Sequence, residues 1–318
     1  MRFRSALTAF FLCAASGCVP SLIKAQEAWP AEILIDGSRI FPESITSDSA
    51  GNIYVGSNPG IIYRAPAGED VASPWILPDA ENGLQTVFGV LADEARGLLW
   101  ACSNPAMGSN TGGPAIKTFA LADGGFVASY PFPADAGPAM CNDMTIDKDG
   151  DVYASEMLGG RIMLLPNGAE AFESWASDPE FASLDGISFG PGGELYGNAI
   201  QRNTLLKIHR NADGSFVRAE VLETSHEMSG PDGLRPLDAN RMLQSEGNAG
   251  TITVLTFAES GPVQIAVIAD GIDYASSVTF ANGRAYYPEG KLGFLFGPKA
   301  GQDPGPFVIR SAEIPEAQ

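Results

Sequence analysis

One phrase recurs six times along this chain of 318 residues, and it limits the fold more than any other feature. A typical copy has a polar or acidic opening residue, a short apolar run, a turn rich in Gly, Asp or Asn, and a second apolar run. Alternating residues around a turn that tolerates positive φ predict a β-hairpin in each copy. We call the opening residues the openers, and they are Glu43, Phe88, Asn142, Asp185, Asp232 and Ser276.

The spacing of the copies predicts the architecture. Further strand patterns follow most hairpins, and such a period suits the four-stranded blades of a β-propeller. A sandwich or a jelly roll does not explain one phrase that returns six times. We therefore predict an all-β fold, a six-bladed β-propeller that forms a single domain over residues 26–318. The steps are 45, 54, 43, 47 and 44 residues between the equivalent Ile45, Val90, Met144, Ile187, Leu234 and Val278.

The two ends of the chain are predicted to meet. The sequence EILIDG from Glu32 resembles IADG from Ile268, so the N-terminal strand is expected to complete the last blade and close the ring. Closure of this kind removes an exposed sheet edge. An apolar run over 292–296 is predicted as the third strand of the last blade, and residues from about 300 to 318 are predicted to pack outside as a strand and a tail.

Residues 1–25 have the pattern of a secretory signal peptide. Arg2 and Arg4 precede an apolar stretch from Ala6 to Ala15, and small residues follow it. That stretch is too short to span a bilayer, so no transmembrane segment is predicted. Residues 15–18 also resemble a bacterial lipobox, in which case Cys18 would carry a lipid. The sequence thus predicts a secreted or periplasmic protein, either free or lipid-anchored.

The formal net charge of −19 argues against nucleic acid as a partner. Acidity of this size keeps a protein soluble, and it also concentrates divalent cations near the surface. The expected partner is a small-molecule substrate.

Only two of the four cysteines, Cys102 and Cys141, lie outside the signal segment. Cys102 ends the second strand of the second copy and Cys141 directly precedes an opener, so both are expected on the same face of adjacent repeats. A disulfide between them is predicted, and by the chain-entropy relation it would contribute about 3 to 4 kcal/mol. Two buried free thiols are the alternative.

The openers carry the predicted chemistry. In a propeller blade the innermost strand starts at one end of the central channel, so equivalent openers face one another at its mouth. Carboxylate and amide oxygens suit Ca²⁺, and less readily Mg²⁺ or Mn²⁺, whereas zinc prefers other ligand types. Without a cation the carboxylates would repel one another. The alternative is that they only cap strand starts or turns. We call the four oxygen-bearing openers the mouth cluster: Glu43, Asn142, Asp185 and Asp232.

Several short motifs resemble the gluconolactonase and regucalcin-like (SGL) family of six-bladed β-propellers. PDGL from Pro231 resembles the family's metal motif, PES around Glu43 resembles its first-blade motif, and ND at Asn142 resembles its third-blade motif. The resemblance covers most of residues 40–297. It implies that Glu43 and Asp232 are metal ligands, and that Asn142 binds the ion or the substrate.

Two positions depart from that family. Asp185 stands where many members have Asn, which favours a tighter cation site or a protonatable base. Met140 stands where the sugar-lactone hydrolases tend to carry Arg, so a sugar lactone is less expected. The apolar Phe88, Met140 and Met157 are predicted to bind a less polar substrate if they point into the mouth rather than between blades. The side without strong ligands, at Phe88 and Ser276, is where the substrate is expected.

Three functions stay open at this point. The first is a metal-dependent hydrolase of a lactone or related ester, with Asp232 or Asp185 as general base and His226 as an alternative proton acceptor or substrate contact. The second is a strictosidine-synthase-like or cyclase-type enzyme that forms bonds without hydrolysis. The third is a propeller that binds a ligand or a protein without catalysis.

Overall fold

The computed structural model describes residues 29–106, 112–133 and 137–316. The predicted signal segment and Cys18 lie outside these residues. Within them the chain forms 24 strands and three single-turn 3-10 helices, Pro179–Phe181, Pro191–Gly193 and Leu292–Phe294. No helix in the described part is long and apolar enough to cross a membrane.

Sixteen of the strands form four separate antiparallel sheets, each with its strands in sequence order. Each sheet is a meander because short turns join strands that pair with their neighbours. The first is β6 (Thr86–Asp93), β7 (Leu98–Asn104), β8 (Ala115–Ala120) and β9 (Phe126–Pro131); the second is β10 (Cys141–Ile146), β11 (Val152–Glu156), β12 (Arg161–Leu165) and β13 (Glu173–Ser177); the third is β14 (Leu184–Phe189), β15 (Leu195–Ala199), β16 (Thr204–Arg210) and β17 (Phe216–Val221); the fourth is β18 (Pro231–Pro236), β19 (Arg241–Glu246), β20 (Thr251–Thr256) and β21 (Gln264–Ala269).

The other eight strands form one larger sheet in the order β2-β3-β4-β5-β1-β24-β23-β22. The N-terminal strand β1 pairs antiparallel with β24 over four residues and parallel with β5 over two. The sheet therefore has two four-stranded halves, which meet where β1 pairs with β5. The openers Glu43 and Ser276 lie at its two outer edges, in β2 and just before β22. The strands are β1 (Glu32–Ile35), β2 (Pro42–Ser47), β3 (Ile53–Ser57), β4 (Ile62–Ala65), β5 (Val71–Ile76), β22 (Thr279–Ala281), β23 (Arg284–Pro288) and β24 (Phe307–Glu313).

The innermost strands of successive sheets pack against one another around a central axis. β2 contacts β6, β6 contacts β10, β10 contacts β14, and β14 contacts β18. The ring closes because β22 contacts β2 and because Gly233 of β18 lies against Ser277, just before β22. The prediction of an all-β propeller is confirmed.

The hydrophobic core lies between neighbouring sheets rather than on the axis. One cluster holds Trp100, Ile116, Met144 and Val152, from two successive sheets. Burial of such side chains contributes about 1.5 to 3 kcal/mol each and holds the sheets face to face. The axis is left to the polar residues of the inner strands.

The eight-stranded sheet differs from the sequence prediction at two places in its C-terminal half. Residues 292–296 do not form the predicted third strand, because Leu292–Phe294 is a single turn of 3-10 helix. The third position is filled by β24, which lies between β23 and β1. The segment expected outside the ring thus supplies an internal strand.

Candidate functional site at the channel mouth

A β-bulge lies at the opener of most inner strands. Pairing with the second strand shifts register between Cys141 and Met144, between Leu184 and Ile187, and between Pro231 and Leu234. The strands β2 and β6 have the same shift. A bulge leaves residues out of the ladder and redirects their side chains, which is why bulges are common beside functional sites.

The residue after the opener sets how closely the inner strands approach. A Cβ on Gly186 would lie 2.2 Å from the Asp232 carbonyl oxygen, and a Cβ on Gly233 would lie 2.8 Å from Ser277 Cα. Only glycine permits this backbone contact. The mouth is therefore narrow, and the openers are forced together.

All four members of the mouth cluster line one cavity at the start of the inner strands, together with Ser276. The cavity volume is about 10 Å³, which is room for a single water molecule or ion. Asn142, Asp185 and Asp232 are buried, and Glu43 is partly exposed. Asn142 Nδ2 donates a hydrogen bond of 3.0 Å to Asp185 Oδ2.

Burial raises the pKa of every carboxyl in the mouth cluster, and nearby negative charge adds to the increase. Burial is the largest cause for all three, and it raises the pKa of Asp185 to about 7. The carboxylates of Asp185 and Asp143 further raise the pKa of Glu43, and those of Asp185 and Glu43 further raise the pKa of Asp232. The site therefore holds protons that exposed carboxyls would lose well below neutral pH.

The donor set fits a hard divalent cation by its chemistry. Three carboxylates and an amide oxygen are ligands that Ca²⁺ prefers, and a cation would relieve their repulsion. Among the described residues, no group of three or more His, Cys, Asp or Glu side chains is arranged closely enough to hold a metal ion. The fit is therefore one of donor chemistry and not of preformed coordination.

A buried ion pair fills the channel below the mouth cluster, and the sequence analysis missed it. Arg235 Nη1 and Nη2 donate to Asp143 Oδ2 and Oδ1 at 2.6 and 3.0 Å. Arg235 also donates to the Leu234 carbonyl oxygen at 2.8 Å. We call Asp143 and Arg235 the axial ion pair. A usable signal was that both charges stand within inner strands, one and three residues after an opener.

Tyr274 is a second neighbour of the site that sequence reasoning missed. Its ring packs over Gly247, where a Cβ would lie 2.7 Å from Cζ. Burial, followed by the negative charge of the nearby Asp232, raises the pKa of the Tyr274 phenol. The phenol therefore stays protonated beside the mouth cluster.

Tyr274 also belongs to a repeated backbone feature. The residue two before the opener has positive φ in four copies of the phrase, and for Tyr274 the angle is 66°. Glycine adopts this conformation readily, whereas a large side chain does so at a cost in strain. Gly230, two residues before Asp232, was the signal in the sequence. The residues are Phe41, Ser183, Gly230 and Tyr274.

Of the predicted substrate-binding residues, Met140 and Met157 lie at the mouth. The Met157 amide donates to the Met140 carbonyl oxygen at 3.0 Å. Asn142 Nδ2 lies 3.5 Å from Met157 Sδ. Met157 is thus in direct contact with the mouth cluster.

Phe88 and His226 do not line the cavity. Phe88 is partly buried and packs between sheets, against the cluster that contains Met144. His226 is exposed on the loop before β18. The predicted open side is also absent as a continuous face, because the openers Phe88 and Ser276 flank Glu43 on either side of the ring. Phe88 and His226 therefore contribute no contact to the cavity itself.

Cys102 and Cys141 form a disulfide between neighbouring sheets, with their Cα atoms 5.4 Å apart. Asn104 reinforces the join, because it donates to the Cys141 carbonyl oxygen at 2.8 Å and accepts from the Cys141 amide at 2.9 Å. These contacts hold the backbone immediately before Asn142.

Comparison with known proteins places this fold among propellers. Residues 30–65 match the family described as strictosidine synthase-like, N-terminal, over β1 to β4. A search of curated protein sequences gave no match.

Solved structures match over most of the chain at low identity. A luciferin-regenerating enzyme matches with a TM-score of 0.67 at 12% identity, covering 90% of this chain and 96% of that one. A protein provisionally described as a gluconolactonase matches with a TM-score of 0.62 at 15% identity, covering 91% and 96%. An inactive variant of virginiamycin B lyase from Staphylococcus aureus matches with a TM-score of 0.58 at 15% identity, covering 88% and 82%. These matches confirm the resemblance to gluconolactonase-like propellers at the level of the fold.

Proposed function

We propose that this chain is an exported, divalent-metal-dependent hydrolase of a lactone or related ester. The observation that supports this most directly is that all four members of the mouth cluster line one cavity, with carboxyl pKa values raised by burial and repulsion. Ca²⁺ is the proposed ion, with Mg²⁺ or Mn²⁺ as substitutes. We also propose that the eight-stranded sheet counts as two blades joined by β1, which makes the propeller six-bladed.

In this proposal the residues have distinct tasks. The cation, when bound, would polarise the ester carbonyl and stabilise the oxyanion that develops. Asp185 or Asp232 accepts the proton of the attacking water as general base. Asn142 orients the Asp185 carboxylate through its amide. The axial ion pair fills the channel beneath, so water and substrate enter from the mouth.

Export is supported by two independent features. The signal-peptide pattern of residues 1–25 is one. The other is the disulfide between Cys102 and Cys141, a bond that persists in oxidising compartments.

The test uses the chain without its predicted signal segment. We would measure bound metal by elemental analysis, and hydrolysis of a lactone and ester panel before and after chelation. Activity should disappear on chelation and return with Ca²⁺, and Asp232→Ala should lower kcat by about 10² or more. Asp70→Ala, at an exposed aspartate, is the matched control and should behave as wild type. If the purified protein contains no metal and its thermal stability does not change on addition of Ca²⁺, the proposed metal site is wrong.

A second candidate is a bond-forming enzyme of the strictosidine-synthase-like kind. The match of residues 30–65 to that family favours it. Metal binding at the mouth cluster without hydrolysis of any ester in the panel would favour this candidate, or a non-catalytic binding propeller, over the hydrolase.

A further inference from the structure

The cavity at the mouth cluster is too small to hold an organic substrate. Its volume of about 10 Å³ admits a water molecule or an ion. Only the reacting group of an ester can therefore reach the mouth cluster, and the rest of the molecule must lie against the surface around the mouth.

A groove of about 560 Å³ lies on that surface, between the sheets β10–β13 and β14–β17. It is lined by 157–160, which follow β11, by residues from 177 to 183, which lead into β14, and by Gln201, which follows β15. These connections lie at the same end of the ring as the openers, because β11, β13 and β15 run antiparallel to the inner strands. We call this surface the mouth groove.

The mouth groove is continuous with the mouth cluster through Met157. The side chain of Met157 lines the groove, and its Sδ lies 3.5 Å from Asn142 Nδ2. A molecule whose reacting group touches Asn142 can thus extend over Met157 into the groove.

The walls of the groove are preformed. The carboxylate of Glu156, which is fully buried, accepts from the amides of Leu158 and Gly159 at 2.9 to 3.1 Å. It also forms a salt bridge of 2.7 Å with Arg161. On the opposite wall, a Cβ on Gly160 would lie 3.2 Å from the Phe181 carbonyl oxygen, so the two walls meet at the base.

The lining of the groove favours an uncharged occupant with an apolar part. Met157, Leu158, Pro179 and Ala182 contribute apolar surface, and Leu158 is 60% exposed. Ser177, Ser183 and Gln201 contribute polar groups beside them. The one ionisable side chain in the lining is Asp178, whose carboxylate already accepts from the Glu180 amide. An anionic group would be repelled by this carboxylate, whereas an alkyl chain can cover the exposed Leu158.

We propose that the mouth groove binds an aliphatic acyl or alkyl substituent of the substrate, so that the substrates are esters or lactones with a medium-length apolar chain. This inference rests on the proposed hydrolase function for its turnover test but not for its binding test.

The turnover test compares γ-lactones of increasing side-chain length. In wild type, kcat/KM should rise roughly fourfold per methylene until the groove is filled, since each buried methylene favours binding by that factor. Ala182→Trp fills the groove at an exposed position and should abolish this rise. Ala67→Trp, on an exposed turn at the far face, is the matched control and should keep the rise.

The binding test needs no catalysis. Calorimetric titration should show that wild type binds octanamide. Binding should be at least tenfold weaker when wild type is titrated with octanoate or butanamide, and when Ala182→Trp is titrated with octanamide. If this binding pattern is found but no lactone is turned over, the proposed hydrolase function is wrong and the proposed binding role of the mouth groove stands. Turnover that does not depend on chain length, or equal octanamide binding by wild type and Ala182→Trp, would overturn the groove proposal.

Discussion

Two levels of the same channel treat buried carboxylates in opposite ways. At the lower level, Asp143 receives two hydrogen bonds from the guanidinium of Arg235. At the mouth, Glu43, Asp185 and Asp232 form no salt bridge with any described side chain, and the pKa of each carboxyl is raised, although the charge of Arg235 offsets part of the increase at Glu43. The lower charge is balanced within the chain whatever the solution contains. The upper charges are balanced mainly by protons or by an ion from solution, as expected of a binding site.

The largest effect expected from this comparison is on stability at the lower level. Arg235→Met leaves Asp143 buried without its partner, which should lower the free energy of unfolding by about 3 to 5 kcal/mol. Arg218→Met is the matched control, because Arg218 forms an exposed pair with Glu220 whose loss should cost about 1 kcal/mol or less.

Urea unfolding measures both variants. Asp143→Asn combined with Arg235→Met should recover part of the lost stability, because no unpaired charge then remains. Equal effects of Arg235→Met and Arg218→Met would show that the axial ion pair is not the balanced charge described above.

The next effect concerns the response of the mouth to Ca²⁺. At a Ca²⁺ concentration of 100 times the dissociation constant, wild type should gain about 2.7 kcal/mol of stability. Asp232→Asn removes a ligand and should lose most of this gain, whereas Asp70→Asn at an exposed site should retain it. Calorimetric unfolding with and without Ca²⁺ provides the measurement. An unchanged gain in Asp232→Asn would exclude this carboxylate as a ligand.

In the absence of cations, pH is expected to have an effect that is smaller per pH unit. The pKa of Asp185 is raised from 3.8 to about 7, so the folded chain holds a proton that the unfolded chain has released between these values. Stability should therefore fall as pH rises from about 4 to about 7, and then level off. Each such group contributes up to about 1.4 kcal/mol per pH unit within its interval.

Melting temperatures at pH 5 and pH 8 in a chelator test this sign. The fall should be smaller in Asp185→Asn and in wild type with excess Ca²⁺. If the melting temperature in chelator is as high at pH 8 as at pH 5, the carboxylates at the mouth are not unbalanced.

The smallest effect is expected at Tyr274. Tyr274→Phe removes the hydroxyl beside Asp232 and keeps the ring packed on Gly247, so the loss should be about 1 kcal/mol in cation-free protein. Tyr130→Phe is the matched control, because Tyr130 stacks on Trp100 away from the mouth. Equal unfolding midpoints for wild type and Tyr274→Phe would mean that the phenol does not support Asp232.

The repeated phrase made the mouth cluster predictable. Equivalent positions in a ring converge, so the repeat alone predicts that Asn142, Asp185 and Asp232 lie together. The same argument failed for Phe88, because a ring position gives the location of the backbone and not the direction of an apolar side chain. Phe88 packs between sheets, where burial is available, and His226 stays on an exposed loop.

Other features required the three-dimensional structure. Arg235 and Asp143 are 92 residues apart and pair across the axis, so no local pattern links them. Residues 292–296 were wrongly predicted to be the third strand of the last blade because they are apolar. The strand β24, which takes that position, follows a segment rich in Gly and Pro that resembles a tail. Its place is set by pairing with β1 at the other end of the chain.

That pairing also sets the order of events in folding. Glu32 of β1 pairs with Arg310 of β24, 278 residues later, so the first strand to be synthesised waits for the last. Contacts this distant in sequence carry a large loop-closure entropy and form slowly. The earlier sheets can each assemble from neighbouring residues, but the ring cannot close until β24 has been synthesised. A chain shortened before β24 would therefore leave β1 unpaired on that side and the ring open.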